Sequence, residues 1–365
     1  MEQDDLYKVA MTMIPKVGAI TARNLISYCG GLEAVFRARK KELCYVPGVG
    51  ETLADQILNS NALEMAEQEM YVLEKEGIRP IFYLDKDYPE RLRPYTDSPL
   101  LLYYQGTQDL NALRMVAIIG TRKPNPYSIH ICEELVEGLK PYQVTTISGL
   151  AYGVDVSAHR KSLQLKIPTI GVLAHGLSQI YPASHRQIAS QMMRGGGLLT
   201  EYPSHISPKR EHFPMRNRIV AGLCDALVVV ETGKEGGSMI TAQFANDYNK
   251  DVFAFPGRVK DPHAAGGNYL IKSHRAALIE RAEDLAYIMG WEEESFTAGV
   301  QQQLFVELSS DEKLVVDLLH QNEGASIDKL TYESRMTGSC MAAILLNLEF
   351  KGLIRSLPGK RYMLM

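Results

Sequence analysis

No two of the five cysteines are spaced as C-x-x-C: Cys29, Cys44, Cys132, Cys224 and Cys340 are odd in number and far apart. This pattern excludes a disulfide framework and points to reduced thiols in a cytosolic protein. The nine histidines share no metal-ligand spacing, so no metal is expected. No apolar run approaches the length that crosses a bilayer. The acidic first residues, interrupted at Pro15, do not read as a secretory signal. An excess of positive charge is also missing: the formal net charge is −4 over 365 residues. Any contact with nucleic acid must then be a local, salt-sensitive patch on an acidic whole. Nucleotide-enzyme signatures are absent as well. G-x-G-x-x-G does not follow the first parallel strand, where Pro124 and Pro126 occupy the turn, which argues against a dinucleotide. There is no G-x-x-x-x-G-K-[ST], and Ser148 lacks the G-x-S-x-G elbow. No cofactor and no catalytic residue is expected.

What remains is ordinary globular composition, 45% hydrophobic and 22% charged, in a chain long enough for two or three domains. Residues 1–80 read as helices. Tyr45-Val46-Pro47-Gly48-Val49-Gly50 before ETLADQIL fits a helix-hairpin-helix, with a weaker copy at Met13–Gly18. Residues 81–290 read as a Rossmann-like domain whose first part, 81–106, is a connector with two strand candidates. From Met115 short apolar runs alternate with amphipathic segments: 115–120, 144–149, 168–174, 197–201, 226–231 and 251–255. Such runs predict a parallel sheet covered on both faces. Residues 291–310 read as a linker. Residues 311–365 give three helices and a hairpin with a Pro-Gly turn, the order of a winged helix. Its presumed recognition helix, Gly338 to Phe350, carries no Arg or Lys, so a packing or partner role is expected rather than base reading.

In a doubly wound sheet ligands bind beyond the strand C-termini. The loops there hold Gly120-Thr121-Arg122-Lys123, Ser148-Gly149 and Gly236-Gly237-Ser238, the last opening a helix that includes Thr241. Glycines before a helix leave backbone N–H groups and the helix dipole free to face an anion. A basic loop, Lys209 to Arg218, adds Phe213, Arg216, Asn217 and Arg218; from His205 to Val220 it has four cations and one anion. Arg can fork onto phosphate, and Phe213 or Tyr152 can stack a base. Arg218 can instead face inward and pair with an acid. Phosphate contacts and stacking carry little sequence information. The expectation is a single strand bound with weak sequence preference.

Several motifs stand in one order: VAIIGTRKPN (116–125), SGLAYGVDVSAHR (148–160), HGLSQIYPASHR (175–186), LLTEYP (198–203), FPMRNRIVAGLCDALVVVE (213–231), GGSMITAQFA (236–245), VFAFPG (252–257) and GGNYLI (266–271). In these the chain resembles the bacterial DNA processing protein A family, also called Smf. The resemblance implies a Rossmann-like domain flanked by a helical domain of the sterile-alpha-motif type and a winged helix. It also implies a single-stranded DNA-binding protein, not a catalyst, that protects incoming strands in natural transformation. It implies loading of the RecA recombinase and a homodimer formed through the Rossmann-like domain. Two other readings stand beside it. One is a nucleoside-monophosphate glycosidase, although Gln243 stands where that class needs a Glu, and an amide does no acid–base work. The other is a pure scaffold.

Overall fold

The computed structural model describes residues 3–292, 308–321, 325–351, 353–357 and 361–364. The chain divides into two compact units, Met1–Ser295 and Phe296–Met365. Most of the expected linker and the Pro-Gly turn at 358–359 lie outside the described residues.

The first unit begins with six helices: α1 (Gln3–Met13), α2 (Ala19–Cys29), α3 (Leu32–Arg37), α4 (Lys40–Leu43), α5 (Glu51–Leu58) and α6 (Ala62–Glu76). The hairpin motif lies between α4 and α5, and Gly48 takes φ +84° in its turn. Two strands follow, β1 (Arg79–Phe82) and β2 (Leu101–Gly106). The alternating part then runs β3 (Met115–Ile119), α7 (Pro126–Gly138), β4 (Thr145–Ser148), α8 (Val154–Leu165), β5 (Thr169–Val172), α9 (Arg186–Gly195), β6 (Gly196–Thr200), α10 (His212–Leu223), β7 (Ala226–Val229), α11 (Gly237–Asp247), β8 (Asp251–Ala254), α12 (Ala265–Lys272), β9 (Ala277–Leu278) and α13 (Ala282–Met289).

One nine-stranded sheet results, in the order β1-β2-β6-β5-β4-β3-β7-β8-β9. The strands from β6 to β9 are parallel. The sequence expectation placed 81–106 as a connector. The structure makes its strands part of the sheet, with β2 antiparallel to β6 and β1 antiparallel to β2. The intervening loop is pinned where Arg91 forks onto Asp225 at 2.7 and 2.8 Å.

The apolar runs are continuous because both faces are buried. Along β3, Met115, Ala117 and Ile119 enter one core, while Val116 and Ile118 enter the other. β7 divides in the same way, Leu227 and Val229 against Ala226 and Val228. A third core joins the N-terminal helices to the sheet, placing Val9, Leu25 and Leu73 in one cluster with Phe82, Leu101, Tyr103 and Leu198. Burying one such side chain stabilises by about 1.5–3 kcal/mol.

The second unit contains α14 (Ser310–Gln321), β10 (Ala325–Ser326), α15 (Ile327–Ser334), α16 (Gly338–Phe350), β11 (Ile354–Leu357) and β12 (Arg361–Leu364). The strands form a small sheet, β10-β12-β11, around a core of its own that includes Val315, Leu330, Leu345 and Ile354. This is a winged helix.

Candidate nucleic-acid interface

Strand order fixes where a site can form. From β3 the chain winds outward through β4 and β5 to β6, then returns across the sheet to β7 and winds the other way. The reversal falls between β3 and β7, and a crevice opens beyond their C-terminal ends, as such topology requires. The crevice has a volume of about 790 Å³. Gly120, Thr121 and Arg122 line it from β3 and Gly149 from β4. Phe213, Arg216 and Asn217 line it from α10, and Gly236, Gly237, Ser238 and Thr241 from α11. Lys123, Ser148 and Arg218 do not line it. Lys123 is exposed beside it. Ser148 is buried and donates to the carbonyl of Ile118 at 2.6 Å. Arg218 turns inward and pairs with Glu201.

The expected basic loop is largely a helix. Only Lys209 to Glu211 precede α10, so Phe213 to Arg218 lie on its first turns. The crossover from β6 to β7 must pass over the sheet, and a helix satisfies its backbone there. Arg216 is consequently 4% exposed. Its guanidinium donates to the carbonyl of Gly149 at 2.7 Å and to that of Val172, and its Nε to Asn217 Oδ1 at 3.2 Å. Burial pulls this guanidinium down to about 10, opposed by the nearby Asp155 carboxylate. Asp155 is buried too, and burial holds its carboxyl above the usual range against the pull of Arg216. Its Oδ2 accepts from the N–H groups of Gly149 at 3.1 Å and Ala151 at 3.3 Å, which fixes the loop after β4. Arg216 therefore belongs to the floor of the crevice. Gly149 accommodates it: a Cβ there would lie 2.5–2.8 Å from the guanidinium atoms.

The outward-facing chemistry comes from elsewhere. Arg122 is exposed, has no acidic partner within salt-bridge distance among the described residues, and lies 5.5 Å from the ring centre of Phe213. Arg210, exposed on the segment before α10, adds a second cation; Tyr181 adds a half-exposed ring 6.0 Å from Phe213. Glu235, which also lines the crevice, carries an opposing charge. Gly236, at φ +134°, precedes α11 without a side-chain cap. The first N–H groups of a helix have no intrahelical acceptor, so this end offers donors and a positive dipole end to the crevice. Asn217 fastens the turn by donating to Gly237 O at 3.2 Å. Ser238 and Thr232 share a hydroxyl contact of 2.6 Å, and Thr241 Oγ1 donates to Gly237 O at 2.9 Å. These polar side chains shape the cradle.

Sequence reasoning did not single out Arg210 or Tyr181 as site residues. Arg210 sits in the basic run and was legible as charge; nothing in the local pattern around Tyr181 placed it here. Tyr152, named as a stacking candidate, does not line the crevice and meets His185 edge-on at 5.0 Å. Among the described residues no group of His, Cys, Asp and Glu is arranged to hold a metal, and no helix is long and apolar enough to cross a membrane.

Beneath α8, His159 Nδ1 meets Thr169 Oγ1 at 2.6 Å, and Thr169 joins Thr146 and Ser162 in a buried hydroxyl chain. Burial lowers the imidazole to about 3, helped by nearby His185 and Arg216. The unfolded chain takes up a proton near pH 6.5 and the folded chain does not until about pH 3. The stability this group contributes is full above pH 6.5 and is lost as pH falls through that window, at up to about 1.4 kcal/mol per pH unit. In His159→Gln, the drop in urea midpoint between pH 7 and pH 5 should be smaller than in the parent; an identical drop would remove His159 as its source.

An open, mostly parallel sheet with its crevice at the switch point defines a Rossmann-like α/β protein, here carrying a helix-hairpin-helix and a winged helix. The family described as DNA recombination-mediator protein A matches residues 79–290, the DprA winged helix domain matches 303–360, and a helix-hairpin-helix motif matches 10–65. The chain belongs to this family, the DprA/Smf proteins. Protein Smf of Synechocystis is 30% identical, with 98% of each chain covered. The X-ray structure of DNA processing protein A from Streptococcus pneumoniae superposes with a TM-score of 0.68 at 27% identity, covering 79% of this chain and 98% of that one. DNA processing protein A from Helicobacter pylori, described for its single-stranded DNA binding mode, gives 0.54 at 28% identity, covering 59% and 97%.

Proposed function

We propose that the crevice binds single-stranded DNA by its phosphodiester chain. The supporting observation is the exposed guanidinium of Arg122, without an acidic partner among the described residues, in the same crevice as the uncapped end of α11. Such an end and a guanidinium favour the same ligand, a phosphate. Gly120, Thr121, Gly236 and Gly237 bring backbone close to it, and Lys123 and Arg210 add charge at the rim. Phe213, already under a cation, and Tyr181 give faces on which unpaired bases stack, worth about 1–3 kcal/mol per base. The Helicobacter pylori relative, with its described single-stranded DNA binding, supports the same ligand here.

The chain is read as a binding protein without turnover, handling incoming single strands in transformation and recombination. Protection of the strand, loading of RecA and a homodimer through the Rossmann-like domain are the finer parts of this proposal. A glycosidase has less support. Gln243 accepts from Arg275 at 2.9 Å and donates to Asp247 at 2.6 Å, away from the crevice lining.

A duplex hides the base faces that the aromatic rings would use. Fluorescence anisotropy with matched oligonucleotides should give a single strand at least tenfold tighter than its duplex, with affinity falling steeply as salt rises. Equal affinity for the two forms would overturn the reading.

A further inference from the structure

The irregular segment between β6 and α10 carries part of the crevice wall, since Pro208 and Arg210 line it. That segment is held from outside the sheet. Along α6, Ala62, Ala66, Glu69 and Leu73 are buried at helical spacing and form one stripe. Ala66 and Leu73 enter the same apolar cluster as Tyr103 and Leu198. Between them the stripe carries a carboxylate. Glu69 is 3% exposed, and no Lys or Arg lies within salt-bridge distance of it among the described residues. Its Oε1 accepts from the Ser204 backbone N–H at 2.6 Å, and its Oε2 from the Ser204 hydroxyl at 2.8 Å. The His205 Nδ1 stands 3.5 Å from Oε2, on a side chain that is more than half exposed.

Burying a carboxylate is costly, and a Leu in this stripe would hold α6 in place without that cost. Apolar contact is non-directional, however, whereas a hydrogen bond fixes a position. Glu69 therefore does what a Leu cannot: it sets where Ser204 lies. From there the order is passed on. The carbonyl of Ile206 accepts from the Gly176 N–H at 2.8 Å and from the Gln179 amide at 3.3 Å. The same amide donates to Ser207 Oγ at 3.2 Å. Gln179 leads directly into Tyr181, and Ser207 into Pro208 and Arg210, so one anchor governs both a ring and a cation of the crevice. We infer that Glu69, which does not itself line the crevice, is a positioning residue for strand binding: through Ser204 it keeps Arg210 and Tyr181 in the arrangement that receives a strand. The N-terminal helices thus act on binding from a distance. The inference rests on the crevice being the strand site.

The test measures oligothymidine affinity by anisotropy in the full chain, over a range of salt, at a temperature where thermal unfolding shows each variant folded. Glu69→Ala should bind about tenfold more weakly, as when the binding-competent arrangement drops to about a tenth of the population. The slope of log affinity against log salt should stay that of the parent, because the bound state still makes every phosphate contact. Glu69→Gln offers an oxygen to the Ser204 N–H and an amide to its hydroxyl oxygen, and should return affinity to within about twofold of the parent. Hydrogen exchange should quicken at 204–207 and 176–181 in the Ala variant and not in the Gln variant. Should Glu69→Ala fail to fold, Ser204→Ala removes one donor from the other side of the contact and should still cost about threefold, the scale of one hydrogen bond. Parent affinity in folded Glu69→Ala or in Ser204→Ala overturns the inference. So does a reduced salt slope, or a Gln variant as weak as the Ala variant. If the parent binds and the variants bind equally well, the positioning role falls and the crevice reading stands. If the parent binds no strand, both fall.

Discussion

Arg122→Ala is expected to weaken single-stranded DNA binding by ten- to a hundredfold while leaving the urea midpoint unchanged. The side chain makes no salt bridge among the described residues, and its ring contact with Phe213 is at the surface, so the fold loses little without it. Binding loses more. A forked guanidinium–phosphate contact is charge-assisted, about twice as strong as a neutral hydrogen bond. The cation also rides on a ring that is itself placed to stack a base. Removing one phosphate contact should lower the slope of log affinity against log salt by about 0.7. Arg122→Lys should recover only part of the affinity, because an ammonium supplies the charge without the planar fork. Unchanged affinity in Arg122→Ala would take this residue out of the interface.

Arg216→Met should behave in the opposite sense and unfold more easily before it binds less. The guanidinium sits in the floor of the crevice, where it neutralises buried Asp155 and satisfies the carbonyls of Gly149 and Val172. Removing one partner of a buried pair leaves the other charge uncompensated, at a cost of about 3–5 kcal/mol. Urea unfolding measures that cost directly. A double-mutant cycle with Asp155→Asn should show coupling: the Asp155 change should cost clearly less once Arg216 is absent. Additive losses would mean that the two charges do not sense each other. The two arginines, Arg122 and Arg216, separate gripping from bracing.

That difference marks the limit of what sequence could say. The strands were legible because β3 and β7 are buried on both faces, which demands uninterrupted apolar runs. The glycines at 236 and 237 were legible as the opening of α11 because few other residues start a helix from φ +134°. Crossing the sheet from β6 to β7 is a tertiary demand, invisible in the run from Lys209 to Arg218. A cluster of arginines therefore read as one basic loop. The structure sorts it by depth: Arg210 remains outside, Arg216 goes beneath Gly149, and Arg218 goes to Glu201. The antiparallel strands β1 and β2 were found as segments but not as sheet members, since pairing with β6 is a long-range choice.

The cluster that holds Leu25 and Leu73 together with Tyr103 and Leu198 has a practical corollary. The family match begins at residue 79, yet a fragment cut there would be stripped of the helices that keep Phe82, Leu101 and Tyr103 dry. Modular exchange between relatives at that point would graft one half of a fitted joint onto a stranger. The inherited boundary and the mechanical boundary are different places on this chain.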